Sequence, residues 1–241
     1  MRYGIFSDIH ANWEALESVL RAFKKENIDS YFCVGDVVGY GANPGECIKA
    51  VQDIRAVCVA GNHDWAVVNK TDIRYFNAMA KAAVEWTKRS LNKEERNFLE
   101  KLELVYRSDD FILVHGTLQE PQFFHYLIES IQAKEMFALM DRNVSFVGHS
   151  HMPGIFIEKG NRIQYTLSAE VTLESQSRYI VNVGSVGQPR DGNPKPSYCI
   201  FDTKEKTISI KRINYLIEEA QKKIIAAGLP VFLASRLAVG R

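Results

Sequence analysis

The side chains of this chain that could do chemistry fall into five short segments rich in histidine, aspartate and glycine. These segments are Asp8-x-His10, Gly35–Asp36, Gly61–Asn62–His63–Asp64, His115–Gly116 and Gly148–His149–Ser150–His151. Carboxylate, carboxamide and imidazole groups together suit Mn²⁺, Fe, Co²⁺, Ni²⁺ or Zn²⁺. Five of the 6 histidines lie in these segments, and we expect the remaining one, His125, to lie elsewhere. The donor set predicts a metal site.

Each segment taken alone also has a simpler structural interpretation. Asp8-x-His10 and Gly35–Asp36 are both compatible with ordinary turns. In extended backbone, His149 and His151 would face the same side about 6.6 Å apart, so they could reach two ions ~3.5–4 Å apart, share one ion, or simply be exposed. These simple interpretations would all have to hold independently, whereas one bound metal pair explains the whole set.

Short apolar runs precede the five segments and predict the strands that position them. The runs are Arg2–Ser7, Tyr31–Val34, Ala56–Ala60, Phe111–Val114 and Val144–Val147. A helix should follow the first run, because apolar residues recur at helical spacing after the N-cap residue Asn12. Alternating strands and helices are typical of an α/β domain, in which ligands bind outside the carboxyl ends of the strands. We therefore expect the five segments to meet in one crevice.

The remaining segments complete the predicted architecture of a single domain over residues 1–241. Residues 66–104 contain no strand pattern and predict a helical insertion of two helices around a break at Ser90–Asn92. From Gly154 onward, short apolar runs separated by turns predict a mostly antiparallel sheet. We expect residues 213–241 to form a helical tail, in which the apolar segment Val231–Val239 either covers the core or makes a subunit contact. We expect a homodimer.

The composition excludes several classes of function. Hydrophobic residues make up 46% and charged residues 24% of the chain, which excludes collagen, coiled coil and disorder. The 30 Lys+Arg nearly balance the 29 Asp+Glu, so no net field would hold the protein on nucleic acid or an anionic membrane. We find neither a signal peptide nor an apolar stretch of the ~20 residues that a membrane span needs. Four cysteines without a CxxC pair predict buried free thiols and a cytoplasmic location.

The five segments, in this order, resemble those of the calcineurin-like metallophosphoesterase superfamily, and the resemblance extends through the whole chain. Four stretches of the chain are similar to the bacterial and archaeal phosphodiesterase-like branch of this superfamily: Ser7–Asn12, Gly35–Pro44, Val114–Thr117 and Asn182–Arg190. Ala11 stands where this branch usually has glycine, and Ser150 where threonine is commoner. The resemblance implies an α/β fold, a four-layer α/β/β/α sandwich of two packed mixed sheets, with the second sheet supplied by the antiparallel half.

The resemblance also implies two divalent metal ions, with manganese or iron first and Co²⁺, Ni²⁺ or Zn²⁺ as alternatives. It places Asp8, His10, Asp36 and His151 on one ion, and Asp36, Asn62, His115 and His149 on the other, so that Asp36 bridges the pair. His63 would be the catalytic histidine beside the phosphate, binding no metal.

Three further residues are candidates for supporting the site or contacting the substrate. Asp64 either holds the geometry of His63 and Asn62 or forms a plain turn. Tyr40 either stacks on an aromatic group of the substrate or packs against its own loop. Arg190 either clamps the phosphate or is an exposed turn residue.

The activity implied is metal-dependent hydrolysis of a phosphate ester by a hydroxide that the two metals activate. A small phosphodiester is the preferred substrate, because the arginine with which the protein-phosphatase branch binds a phosphomonoester dianion is absent from the matching Gly39–Tyr40–Gly41. In addition, the charges of two divalent ions, two carboxylates, a hydroxide and a diester monoanion sum to nearly zero, which favours a diester. The alternatives are a dinucleoside polyphosphate hydrolase, a phosphomonoesterase and, in another class, a non-catalytic metal-binding scaffold.

Overall fold

The computed structural model describes residues 1–241 and contains twelve strands in two sheets. The strands are β1 (Arg2–Phe6), β2 (Ser30–Cys33), β3 (Val57–Cys58), β4 (Val105–Arg107), β5 (Ile112–Val114), β6 (Val144–Val147), β7 (Gly154–Lys159), β8 (Arg162–Thr166), β9 (Glu170–Thr172), β10 (Ser177–Asn182), β11 (Ser197–Asp202) and β12 (Thr207–Arg212). The order is β3-β2-β1-β11-β12-β9 in the first sheet and β4-β5-β6-β10-β7-β8 in the second. Both sheets combine parallel and antiparallel pairs, as predicted for mixed sheets.

The helices cover the outer faces of the two sheets. They are α1 (Trp13–Phe23), α2 (Pro44–Asp53), α3 (Asn62–Val67), α4 (Ala78–Ser90), α5 (Lys93–Glu100), α6 (Ser130–Leu139), α7 (Ile217–Ala226) and α8 (Val231–Ser235). Apolar residues of α1 and α2 pack on the first sheet, and those of α6 pack on the second. Between the sheets lies a core rich in aromatic rings, including Tyr3, Phe111 and Phe146. The result is the four-layer α/β/β/α sandwich that the resemblance implied.

The prediction that the antiparallel half supplies the second sheet is wrong, because each sheet takes strands from both halves of the chain. β11 pairs with β1, with Ile5 opposite Cys199, and so extends the first sheet. Its Tyr198 and Ile200 face the helices, whereas Cys199 and Phe201 face the second sheet. A strand that is apolar on both sides is stable only where both faces are covered, as at the centre of this sheet.

Helix ends agree closely with the predicted signals. The side chain of Asn12 accepts a hydrogen bond from Ala15 N at the start of α1. Asn92, the last residue of the predicted break, caps α5 in the same way. The chain leaves α7 at Gly228, whose φ of +71° favours glycine. None of the helices combines the length and the hydrophobicity needed to cross a membrane.

The C-terminal segment covers part of the core. Leu233, Ala234 and Leu237 are buried in a cluster that also contains Tyr40. The outer side chains Val231, Phe232 and Val239 remain exposed. All four cysteines are free, as predicted; Cys58 differs from the prediction in being only half-buried, because β3 lies at the edge of its sheet.

Candidate metal centre

The five sequence segments converge at the carboxyl ends of strands from both sheets. β1, β2 and β3 bring Asp8, Asp36 and Asn62 from the first sheet, and β5 and β6 bring His115 and His149 from the second. The crevice therefore lies between two sheets and not along one. Donor atoms within 4.8 Å of one another form three groups: Asp8, His10 and His151; Asp36, His115 and His149; and His10, Asp36 and His63.

The backbone at the candidate ligands is strained. Five of them have left-handed φ values between 49° and 65°, although none is glycine: Asp8, His10, Asp36, His149 and His151. Such residues are destabilising by roughly 1–3 kcal/mol each and cluster at functional sites. The expected extended backbone at His149-x-His151 is therefore wrong. The chain turns directly after β6, where Ser150 N donates to Gly148 O, and the two imidazoles enter different donor groups.

Two glycines allow the carboxylates to lie against neighbouring backbone. A Cβ atom on Gly61 would lie 2.0 Å from Asp36 Oδ1, and one on Gly148 would lie 2.5 Å from Asp8 Oδ2. Backbone N–H groups hold the same carboxylates, because His63 N donates to Asp36 Oδ1 at 2.8 Å and His149 N to Asp8 Oδ2 at 3.1 Å. Each carboxylate is thereby held through one oxygen and presents the other to the crevice.

Three imidazoles are oriented by backbone carbonyls. Their Nδ1–H groups donate as follows: His115 to Val34 O (2.7 Å), His151 to Gln188 O (2.6 Å) and His10 to Val38 O (3.2 Å). A ring that donates through Nδ1 keeps the lone pair of Nε2 for a metal ion. These bonds therefore direct three Nε2 atoms into the crevice.

Several donor atoms of the crevice are buried without a hydrogen-bond partner. They are Asp8 Oδ1, Asn62 Oδ1, His115 Nε2 and His63 Nδ1. Buried polar atoms in proteins are nearly always satisfied, so an unpaired set of this kind requires an explanation. The first three are atoms of types that bind divalent cations, and no thiol is among them. The residues present therefore fit a pair of divalent metal ions.

The ionisable groups of the crevice strongly perturb one another. Burial raises the pKa of Asp36, but His115 and His63 outweigh this effect and hold the pKa below its usual range. Burial lowers the pKa of His115, but Asp36 and Asp8 reverse the effect and raise it to about 9, so a metal ion bound at Nε2 would displace a proton from this ring. Burial lowers the pKa of His63 to about 3 against the attraction of Asp36, so this ring is neutral. The crevice thus favours anionic carboxylates beside a neutral His63.

Asp64 acts on the backbone around the site. Its Oδ2 accepts from Gly61 N at 3.0 Å, and its Oδ1 accepts from Val38 N at 3.1 Å. Burial, reinforced by the charge of Asp36, raises the pKa of Asp64 to about 7. The side chain therefore ties the loop after β2 to the start of α3, which carries Asn62 and His63.

Tyr40 and Arg190 both line a cavity that lies above the candidate metal ligands. The buried ring of Tyr40 lies 4.6 Å from the His10 ring and 4.4 Å from the His63 ring, measured between centroids. Arg190 is half-buried, in contrast to the exposed turn residue that was one of its two interpretations. Its guanidinium donates to Gln188 Oε1 at 2.9 Å and lies 5.8 Å above the Tyr40 ring.

The cavity has a volume of about 660 Å³, and its floor includes Asp36, Asn62, His63, His149 and His151. His125 lines it as well, so the expectation that this histidine lies elsewhere is wrong. The reason is that the loop carrying His125 folds back over Gly116, where a Cβ atom would lie 2.6 Å from His125 O. The sequence analysis did not identify the aromatic residues that line the walls of this cavity. The available sequence signal for them is the run of consecutive rings Phe123–Tyr126.

Two further supporting residues escaped the sequence analysis. Asn182 Nδ2 donates to Gly148 O at 2.8 Å and to Ser150 Oγ at 2.9 Å, which holds the turn between the last two candidate ligands. Ser185 Oγ donates to Asp8 O at 2.8 Å. Both lie in the stretch Asn182–Arg190, whose resemblance to known sequences was the only signal for them.

Comparison with known proteins agrees with this geometry. A family model for the calcineurin-like phosphoesterase superfamily domain matches residues 1–206. The uncharacterized protein MJ0912 of Methanocaldococcus jannaschii is 40% identical over 241 residues, covering 98% of this chain and 97% of that protein. The crystal structure of a metallophosphoesterase from Sphaerobacter thermophilus superposes with a TM-score of 0.87 at 35% identity, covering 100% of this chain and 99% of that one. The hypothetical protein PH1004 of Pyrococcus horikoshii shares the fold, with a TM-score of 0.81 at 18% identity over 100% and 98% of the two chains.

Proposed function

Because the chain belongs to the calcineurin-like phosphoesterase superfamily, we propose that it is a metal-dependent hydrolase whose substrate is a small phosphodiester. The observation that carries this proposal is the convergence of buried, unpaired carboxylate, carboxamide and imidazole donor atoms on the floor of one cavity. A scaffold that binds no metal would have no need of a strained backbone that aims these atoms at a common point.

The candidate ligands divide into two sets around Asp36. Asp8, His10 and His151 would hold one divalent ion, with Asn62, His115 and His149 on the other and Asp36 between them; Mn²⁺ or Fe is our first choice. When bound, two such ions supply Lewis acidity that stabilises phosphoryl charge and lowers the pKa of a water from 15.7 toward about 7. The protein itself fixes the ligand geometry through the Nδ1 bonds and the glycine contacts described above.

His63 is the residue that we assign to the leaving group. Its backbone N–H holds Asp36, while its ring lines the cavity between Tyr40 and Phe76, at centroid distances of 4.4 Å and 5.2 Å. The neutral ring would donate a hydrogen bond through its N–H to the ester oxygen as the P–O bond breaks and negative charge develops there. Loss of a single hydrogen-bond donor to developing charge typically costs about 10²–10³ in kcat.

The surroundings of Tyr40 favour a diester over a monoester. Gly39–Tyr40–Gly41 carries no cationic side chain, and Arg190 above the Tyr40 ring already donates to Gln188. A single, partly engaged guanidinium suits a phosphodiester monoanion better than a phosphomonoester dianion, which needs more charge compensation.

The proposal is tested by removing metal with a chelator and then restoring Mn²⁺, Fe²⁺, Co²⁺ or Zn²⁺ separately. We expect hydrolysis of bis(p-nitrophenyl) phosphate only in the reconstituted protein, with kcat/KM above that for p-nitrophenyl phosphate. Full activity in metal-free protein, verified by elemental analysis, contradicts the proposal. Metal binding without hydrolysis of any diester, monoester or dinucleoside polyphosphate would instead support the scaffold.

A further inference from the structure

Exposed aromatic side chains are concentrated around the mouth of the cavity. Of the five exposed phenylalanine and tyrosine side chains in the protein, three line this cavity: Tyr75, Phe123 and Tyr126, with exposed fractions of 90%, 62% and 46%. Leaving large rings in water forgoes the stabilisation that burial would supply, and clusters of them mark binding sites. The metal centre uses none of these three side chains.

The loop that carries two of these rings is held in a defined conformation. Phe124 is buried and makes edge-on contact with the Trp65 ring, while Phe123 and Tyr126 point into the cavity mouth. Glu120 and Phe124 have left-handed φ values of 44° and 51°, so the backbone is strained on both sides of Phe123. The contact of this loop with Gly116, next to His115, ties the rings to the metal centre.

The rings also reach the candidate catalytic residues directly. Tyr126 stacks face to face on His149, with ring centroids 4.0 Å apart and planes inclined by 19°. On a separate loop before α4, the half-buried Phe76 ring lies 5.2 Å from the His63 ring, and Tyr75 extends beside it into solvent. The aromatic wall is thus continuous with the floor where a phosphate would bind.

We propose that Tyr75 and Phe123 form a subsite for a planar ring, a nucleobase or an aryl group, on one ester arm of the substrate. This inference rests on the proposed phosphodiesterase function, since a phosphate bound at the floor directs its ester arms toward the mouth. A volume of about 660 Å³ suffices for such an arm, because small-molecule pockets span about 300–1,000 Å³. Stacking on exposed rings tolerates any base or aryl group, since each has a π-face.

The test is calorimetric titration of Mn²⁺-loaded protein with phosphate monoesters that differ only in the ring. Phenyl phosphate is compared with methyl phosphate, and thymidine 5′-monophosphate with 2-deoxyribose 5-phosphate. We expect the ring-bearing member of at least one pair to bind about 5- to 100-fold more tightly. A gain in the first pair alone identifies an aryl group, and a gain in the second alone a nucleobase.

Tyr75→Ala and Phe123→Ala should each reduce this preference at least about fivefold, and Tyr75→Phe should retain it. Phe232→Ala is the matched control, because Phe232 is exposed to 56% but lies outside the cavity. Equal affinities within both pairs, or an unchanged preference in both alanine variants, overturns the subsite. Binding needs no turnover, so a protein that prefers rings but hydrolyses no ester contradicts only the hydrolase proposal. A diesterase without ring preference contradicts only the subsite.

Discussion

The Nε2 atoms of His10 and His151 face each other at 3.1 Å, although the two residues follow strands of different sheets. Both rings donate through Nδ1 to backbone carbonyls, so both Nε2 atoms carry lone pairs. Two lone pairs at this distance repel each other unless a proton or a cation lies between them. Two nitrogen ligands about 2.1 Å from one ion lie about 3 Å apart when bound at a right angle. The spacing is therefore that of two ligands of one metal ion.

Asp36→Asn and His63→Ala should separate metal binding from turnover. Asn at position 36 removes the charge shared by two donor groups, so we expect loss of both metal and activity. His63→Ala should keep its metal and lose about 10²–10³-fold in kcat, because it removes only the hydrogen-bond donor that we propose for the leaving group. Elemental analysis and steady-state kinetics on one diester measure the two effects.

Asp53→Asn is the matched control for Asp36→Asn, since Asp53 is an exposed residue at the end of α2 that pairs only with Lys49. It should leave both metal content and kcat unchanged. Metal loss in His63→Ala comparable to that in Asp36→Asn would show that His63 is a ligand, in line with its place in the third donor group.

Gly61→Ala should destabilise the protein and lower its metal content. The added Cβ atom would lie 2.0 Å from Asp36 Oδ1 and 2.3 Å from Asp36 N, so the carboxylate must move. Forcing an atom into a packed interior costs about 1–3 kcal/mol. Gly160→Ala is the control, because its Cβ atom meets nothing within 4 Å and only the left-handed φ of +60° opposes it. Thermal melting measures the stability of both variants. Equal metal content in the two variants would contradict this account.

Asn182→Ala should weaken metal binding without touching any ligand. The substitution removes the donors to Gly148 O and Ser150 Oγ and the acceptor of Gly184 N, of which the first and third are buried and the second half-buried. Buried groups left unpaired cost about 1–3 kcal/mol, and loss of such supporting bonds lowers metal affinity typically 10–100-fold. Competition with a chelator measures the affinity. Asn161→Ala, at an exposed hairpin tip, should change neither quantity; an Asn182→Ala variant with the same affinity as Asn161→Ala refutes the prediction.

Much of the site could be predicted because each candidate ligand lies within four residues of the end of a short apolar run. The run Phe111–Val114 predicts β5, for example, and His115 is the next residue. Helices with one clear apolar face, such as α1 and α7, could be predicted equally well. These signals are local, since they depend only on neighbours along the chain.

The features that could not be predicted depend on contacts between distant segments. The left-handed backbone at His149 and His151 is held by the hydrogen bond from His149 N to Asp8 and by those of Asn182, which no local pattern specifies. Helix α6 was missed because Ile131 and Leu139 are exposed while Ala133 is buried, which obscures the apolar period. The aromatic wall of the cavity could not be predicted, because it depends on the loop of Phe123 crossing Gly116.

Arg190→Ala should distinguish a diester site from a monoester site. The guanidinium lines the cavity and is held by Gln188 above Tyr40, so it is placed to donate to a substrate phosphoryl oxygen. Loss of a hydrogen bond to a charged group raises KM by roughly 10–100-fold, whereas kcat and metal content should change little, and Arg190→Lys should recover part of the loss. Arg107→Ala, on the exposed edge strand β4, is the control.

For a diesterase, kcat/KM for monoesters should stay below that for diesters in every variant. If Arg190→Ala instead depresses monoester hydrolysis far more than diester hydrolysis, Arg190 serves as the dianion clamp and the preference for diesters is wrong.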